Sequence, residues 1–196
     1  MTAAALALLL VPTAVQLASR RVPLRPETLR KLVHIGAALL ALPLPLFLSY
    51  RQITVLGLLF AALMAISRRA RIFTAVHDVD RSTHGEILFP LGVAVLAAGF
   101  PHYVPFAYGV VVLGLADGLA ALVGTRYGRM RLPGGKSVWG SATFFAVAVA
   151  AALALVGPTA MVVAAAASLT AAEAALRNGF DNLVVPVLGG LLASLA

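Results

Sequence analysis

The sequence predicts an all-α protein: a polytopic membrane helix bundle of about seven to eight transmembrane helices. Three observations carry that expectation. Of 196 residues, 61% are hydrophobic and 11% charged, against roughly 25% charged in a soluble domain, too few to cover a water-facing surface. Mean hydropathy is +0.99. The apolar residues fall in long Ala/Leu/Val-rich runs without the alternation of barrel strands, and a helix satisfies its own backbone in lipid. No change in composition divides the chain, so residues 1–196 read as a single membrane domain. The absence of cysteine excludes disulfides and thiolate chemistry.

Eight apolar segments follow in order. The first, about Ala3–Leu17, has no positive charge before it and Arg20 and Arg21 after it, the reverse of a secretory signal. The second, about Leu32–Leu48, contains Pro43 and Pro45, expected to kink it. Ile53–Ile66 runs toward Arg68 and Arg69, and Ile87–Phe100 starts after His84-Gly85-Glu86. Val104–Val123 carries Asp117 within its apolar run. Val138–Val156 opens after Lys136-Ser137, Ala160–Leu176 precedes Arg177, and Leu183–Ala196 follows Asp181-Asn182. Several segments have about 14–17 residues, short of the ~20 that span a typical hydrocarbon core. Re-entry or local thinning of the bilayer accommodates such lengths, so seven spans are also compatible.

Charge sets the orientation. Alternate loops carry Arg20, Arg21, Arg25, Arg30 and Lys31, then Arg68, Arg69, Arg71 and Arg81, then Arg126, Arg129, Arg131 and Lys136, then Arg177. That places 14 of the 15 Lys and Arg residues on one face, with Arg51 opposite. By the positive-inside rule this face is cytoplasmic, and eight spans put both termini outside. The net charge of +8 therefore reads as topology and attraction to anionic lipid headgroups, not as a nucleic-acid surface. All seven acids, Glu27, Asp78, Asp80, Glu86, Asp117, Glu173 and Asp181, fall on or near the same face. The positive-inside rule does not require that. It describes one reaction site facing the cytoplasm, whereas a conduit needs polar groups along its whole length.

Asp117 lies about 10 Å of helical rise before Gly124. A carboxylate is expensive in hydrocarbon, so its first reading is functional; pairing with an arginine on a neighbouring helix is the structural alternative. Asp117, Ala121 and Gly124 share one helical face whose small residues permit close approach. The loop after it offers Gly124, Gly128, Gly134 and Gly135 for tight turns, and Arg126, Arg129, Arg131 and Lys136 as phosphate partners. Topogenic charge is the competing account of those arginines. Gly-Gly-Lys-Ser imitates a P-loop ending, but that motif needs glycine where Met130 stands and a buried strand before it. Lys136-Ser137 with Gly140-Ser141 opens a helix whose N-terminal amides favour anions.

Glu173 stands four residues before Arg177, an i,i+4 ion pair on the structural reading. Asp181 or Asn182 caps the last helix on the same reading. Together with Asp117, however, Glu173 and Asp181 bring three carboxylates to one membrane face, enough oxygen to hold Mg²⁺ against a nucleotide. Arg30-Lys31-x-x-His34 begins the second segment, with His34 either a packed interfacial histidine or a base. Glu86 suits the positive end of its helix. His77 with Asp78 and Asp80 reads as a solvated loop, and His102 sits on the opposite face.

These blocks resemble the CTP-dependent lipid-alcohol kinases: dolichol kinase, phytol and farnesol kinases and the yeast-type diacylglycerol kinase, relatives of the phosphatidate cytidylyltransferases. Arg30-Lys31-Leu32-Val33-His34 is similar to the family's RKxxH. Gly85-Glu86-Ile87-Leu88-Phe89-Pro90 is similar to its GE-aromatic-Pro segment. Asp117 through Gly124 with Gly128, then Lys136-Ser137 and Gly140-Ser141, is similar to its nucleotide signature. Glu173 with Asp181-Asn182-Leu183 and Pro186 is similar to its closing E…DNLxxP. The blocks run in order from residue 30 to 186. Trp139 stands where many members have a glutamate, and the short chain looks like the phytol-kinase branch.

The resemblance implies phosphoryl transfer from CTP, with Mg²⁺, to a membrane-dissolved isoprenoid alcohol at a cytoplasm-facing site of an integral protein of the cell membrane. It implies Asp117 and Asp181 as metal ligands, Asn182 assisting and Glu86 counted with them. Lys136, with Ser137, Ser141 and local amides, holds phosphate; Arg126, Arg129 or Arg131 contributes further. Gly124, Gly128, Gly135, Gly140, Arg30 and Lys31 complete the nucleotide set. Glu173 or His34 orients or deprotonates the alcohol. The pattern leaves two other readings. A cytidylyltransferase would use the same apparatus to make a CDP-lipid, but its longer PGHGG-type signature is missing. A small transporter would need charge at mid-membrane and on both mouths.

Overall fold

All eight apolar segments are helical in the computed structural model, which describes residues 1–21, 24–73, 83–132 and 135–196. His77, Asp78, Asp80, Arg81 and Gly134 lie outside the described residues. Helix α1 (Thr2–Ser19) packs against α2 (Pro26–Ala41). Helix α2 opens with a proline in its first turn, where a missing N–H costs nothing, and with Glu27 at the positive end of its dipole. Pro43 and Pro45 do not kink this segment but end it: they cannot continue the helical hydrogen-bond ladder. The chain leaves α2 at Ala41 and turns through a 3₁₀ turn at Leu44–Leu46.

Helix α3 (Tyr50–Arg69) starts from a capping box. Ser49 Oγ accepts from Gln52 N at 3.3 Å, and Gln52 Oε1 accepts from Ser49 N at 2.9 Å. Helix α4 (Gly85–Gly99) follows. Helix α5 (Tyr103–Val111), a π-helical turn (Val112–Ala116) and α6 (Asp117–Tyr127) then form one continuous 25-residue span. Helices α7 (Val138–Leu155), α8 (Met161–Ala175) and α9 (Asp181–Ser194) complete the bundle. Among the described residues, five helical spans are long and apolar enough to cross a membrane: α1, α2 with its 3₁₀ turn, α3, α5–α6 and α7. Helices α4, α8 and α9 are shorter. The protein is a polytopic helical membrane bundle, and its exposed Leu6, Leu10, Leu59 and Val163 present an apolar surface that lipid rather than water covers.

The α5–α6 span is central and feeds two cores. Phe106, Val110 and Leu113 pack with Ala38, Ile53, Phe89 and Leu96 from α2, α3 and α4. Tyr108, Val112, Ala116 and Ala120 pack with Phe144, Ala148, Leu169 and Val185 from α7, α8 and α9. The Tyr108 hydroxyl donates to Ala148 O at 3.3 Å. Lipid supplies little hydrophobic drive between helices, so close approach of small residues carries the association. Gly114, in the π turn, lies against Ala38 so closely that a Cβ would collide with it. The same economy ties the α8–α9 turn to the start of α4. Gly179 (φ 90°) sits against the Gly85 backbone, and His84 N donates to Asn178 O at 3.0 Å.

Candidate active site

The π turn immediately precedes Asp117 and sets its direction; such turns recur at functional sites. Asp117 is buried, 5% exposed. Its Oδ2 accepts from Lys31 Nζ of α2 and lies 4.0 Å from His34 Nδ1, one helical turn further along. Lys31 and His34 therefore approach the same carboxylate from successive turns of α2.

Lys136 is delivered by a tight loop between α6 and α7. Gly128 N donates to Gly124 O (3.1 Å), Val138 N to Met130 O (3.1 Å), Leu132 N to Lys136 O (2.7 Å) and Gly135 N to Leu132 O (2.8 Å). Gly135 has φ 84°, a conformation that side chains rarely adopt. From this loop the Lys136 ammonium donates to Glu173 Oε1 at the end of α8 and to Asp181 Oδ2 at the start of α9, the latter at 2.9 Å. Burial works against the ammonium, but the carboxylates of Asp181, Glu173 and Asp117 outweigh it and hold its pKa above the ordinary lysine value.

The three acids converge. One oxygen each from Asp117, Glu173 and Asp181 lies within 4.8 Å of the others. Glu173 Oε2 and Asn182 Oδ1 are buried acceptors without a hydrogen-bond partner, in a structure that satisfies most such atoms. A hard divalent cation takes oxygen ligands of this kind, so the donor set fits Mg²⁺. Lys31 and Lys136 pair with these three carboxylates, and Glu27 and Arg131 line the same cavity. The acids and lysines line a cavity of about 320 Å³, with Ala121, Gly124, Arg131 and Ser141 on its walls.

The structure thus gathers Lys31, Asp117, Gly124, Arg131, Gly135, Lys136, Ser137, Gly140, Ser141, Glu173 and Asp181 at one cavity. Several other candidates lie elsewhere. Arg126, over the Tyr127 ring at 5.5 Å, and Arg129 are exposed and do not line it, and neither does Gly128. Glu86 stands away from the carboxylate cluster and accepts from Arg68 at 3.0 Å. Arg30 is buried, donating to Glu27 at 2.7 and 3.0 Å, with Nη1 turned toward Gly85. Asn182 Nδ2 donates to Gly85 O at 3.3 Å, while its residue borders Asp117, Glu173 and Asp181 on their far side.

Ser137 forms the N-cap of α7. Ser137 Oγ accepts from Gly140 N at 3.0 Å, Ser141 N donates to Ser137 O, and Val138 N donates to Met130 O. Ser137 thus caps the helix, and the Val138 amide is engaged by the preceding loop. Gly124 and Gly140 serve the α6–α7 crossing: a Cβ on Gly140 would stand 2.9 Å from Ala120 O, and one on Gly124 2.6 Å from Ser137 Oγ. Sequence reasoning passed over Glu27 and Thr125 as cavity residues. Glu27, one turn before Lys31, was discoverable from that spacing.

Against known proteins, the chain is 33% identical over 192 residues to a phytol kinase from Synechocystis sp., spanning 88% of this chain and 81% of that protein. No family model matches the chain, and no solved structure matches it.

Proposed function

Because the chain belongs to the lipid-alcohol kinase family that includes phytol kinase, we propose that it transfers the terminal phosphoryl group of CTP to the primary hydroxyl of a membrane-dissolved isoprenoid alcohol. The site is the polar cavity at the basic end of the bundle, and that end faces the cytoplasm. The observation that supports this most is the convergence of Asp117, Glu173 and Asp181 with Lys136. A structural ion pair needs one acid per base; three acids gathered around two lysines make a site for a further cation and for phosphate.

In this reading Asp117 and Asp181 hold Mg²⁺, with Asn182 beside them. When bound, the ion supplies charge neutralisation on the phosphate oxygens. Phosphoryl transfer asks the protein mainly for positioning and electrostatics. Lys136 would turn its ammonium from these carboxylates to the terminal phosphate. Arg131 lines the cavity and steadies the remaining phosphates; Lys31 orients Asp117. His34, 4.0 Å from Asp117 Oδ2, accepts the hydroxyl proton as the alcohol oxygen bonds to phosphorus. The bond from that phosphorus to the bridging oxygen breaks, and the nucleoside diphosphate leaves with the electron pair.

The test is transfer of label from γ-labelled CTP and ATP, with Mg²⁺, by purified protein in nanodiscs. Phytol, farnesol, a long polyprenol and diacylglycerol are the acceptors. Labelled isoprenoid phosphate from CTP, absent with Asp117→Asn, is the expected result. Formation of a CDP-lipid from phosphatidate without phosphate transfer to an alcohol overturns the proposal.

A further inference from the structure

A second cavity lies beside the polar one. It is a crevice between α1, α2, α3 and α4, floored by Ala37, Ala41 and Gly57 and walled by Ile53, Phe60 and Val93. Its lining is apolar except at one end, where His34 and Glu86 stand. Glu86 is already tied to Arg68. His34 is not: the residue is 2% exposed, its ring rests on Phe89 with centroids 4.6 Å apart, and neither ring nitrogen has a hydrogen-bond partner. A buried imidazole left in that state is costly, and an alcohol hydroxyl, both donor and acceptor, satisfies it.

We propose that this crevice is the acceptor groove: the isoprenoid chain lies along α2 from His34 toward Leu44, and the hydroxyl meets His34. The inference rests on the kinase reading above and adds where the second substrate sits. Two further observations support it. Asp117, which lines the polar cavity and accepts from Lys31 there, stands 4.0 Å from Nδ1 of His34, which lines the groove. A hydroxyl at His34 is therefore adjacent to the phosphate site. In addition, the described residues that line the groove include no cation, a lining that suits a neutral amphiphile with one polar end. The floor is small where His34, Ala37 and Ala41 follow one another along a helix face. From His34 to Ala41 is about 10 Å by helical rise, the length of about two extended isoprene units.

That length gives a test. Wild-type protein and the Ala41→Phe variant, both in nanodiscs, are offered two-unit geraniol, three-unit farnesol and four-unit phytol. Phenylalanine at 41 blocks the groove beyond the second unit. The expected result is a loss of about tenfold or more in kcat/KM for farnesol and phytol and less than about threefold for geraniol. Equal loss for all three, or none, overturns the groove. Should Ala41→Phe fail to fold, wild-type protein is labelled with a farnesol carrying a diazirine at its tail. Label on Leu8, Phe60 or Val93 supports the proposal, and label confined to other helices overturns it. The parent reading fails separately, when wild-type protein phosphorylates none of the alcohols.

Discussion

Replacing Lys136 by methionine keeps the reach of the side chain and deletes its charge. At 2.9 Å from Asp181 Oδ2, the gross attraction is roughly 6 kcal/mol at an effective dielectric of about 20. Desolvation of the ammonium offsets much of that, and breaking a buried pair from one side costs about 3–5 kcal/mol net. With one-fifth of its side chain exposed, Lys136 belongs at the lower end. A fall in thermal stability is therefore expected in detergent, and Glu173→Gln in the same chain should recover part of it by removing an unbalanced carboxylate. Activity should not recover. Losing one preorganised donor to the transferring phosphate costs about 3–4 kcal/mol in the barrier, a kcat lower by about 10²–10³. The concentration of Mg²⁺ giving half-maximal rate should fall at the same time, because the ammonium and the ion compete for the same oxygens. Initial rates with labelled CTP across a Mg²⁺ titration measure both quantities. A kcat within about threefold of wild type would remove Lys136 from the phosphate site, and a raised Mg²⁺ requirement would remove the competition.

Three further outcomes follow. Asp117→Asn should abolish transfer and strand Lys31 as a buried cation, costing about 3–5 kcal/mol; adding Lys31→Met should restore the melting temperature but not the activity. Ser137→Ala removes the cap of α7 and should cost about 1 kcal/mol by thermal melting, while the KM for nucleotide changes little. The pKa of Lys136 is raised above 10.5, so the stability it contributes is complete below that pH and is lost as pH rises through the higher folded value. The melting-temperature gap between wild type and Lys136→Met should therefore hold steady across neutral pH and narrow only in strong alkali.

The helices were legible because their cause is local: a run such as Val138–Leu155 has no charged residue to interrupt it. So was the set of acids, since few residue types tolerate lipid without a reason. Asp117, Glu173 and Asp181 were grouped from their common face, and they meet. What stayed hidden was partnership across the chain. Lys31 and Asp117 are 86 residues apart, and nothing in either segment names the other. The arginines were ambiguous for a related reason: a basic loop serves topology and phosphate equally, and Arg131 lines the cavity while Arg126 and Arg129 do not. The two prolines were read as a bend and act as a stop, because they fall together where the chain is already leaving its span.

The five residues of the π turn contribute no functional side chain, yet the site depends on how many of them there are. Each residue added to or removed from a helix rotates everything after it by about 100°. With one residue fewer between Val111 and Asp117, the same aspartate in the same neighbourhood would turn away from Lys31 toward another flank of the bundle. The information stored there is a count, not an identity. Residue-by-residue substitution of Val112–Ala116 would map a packing surface, with Gly114 the strictest position; a single deletion would silence the enzyme without changing the identity of any functional residue.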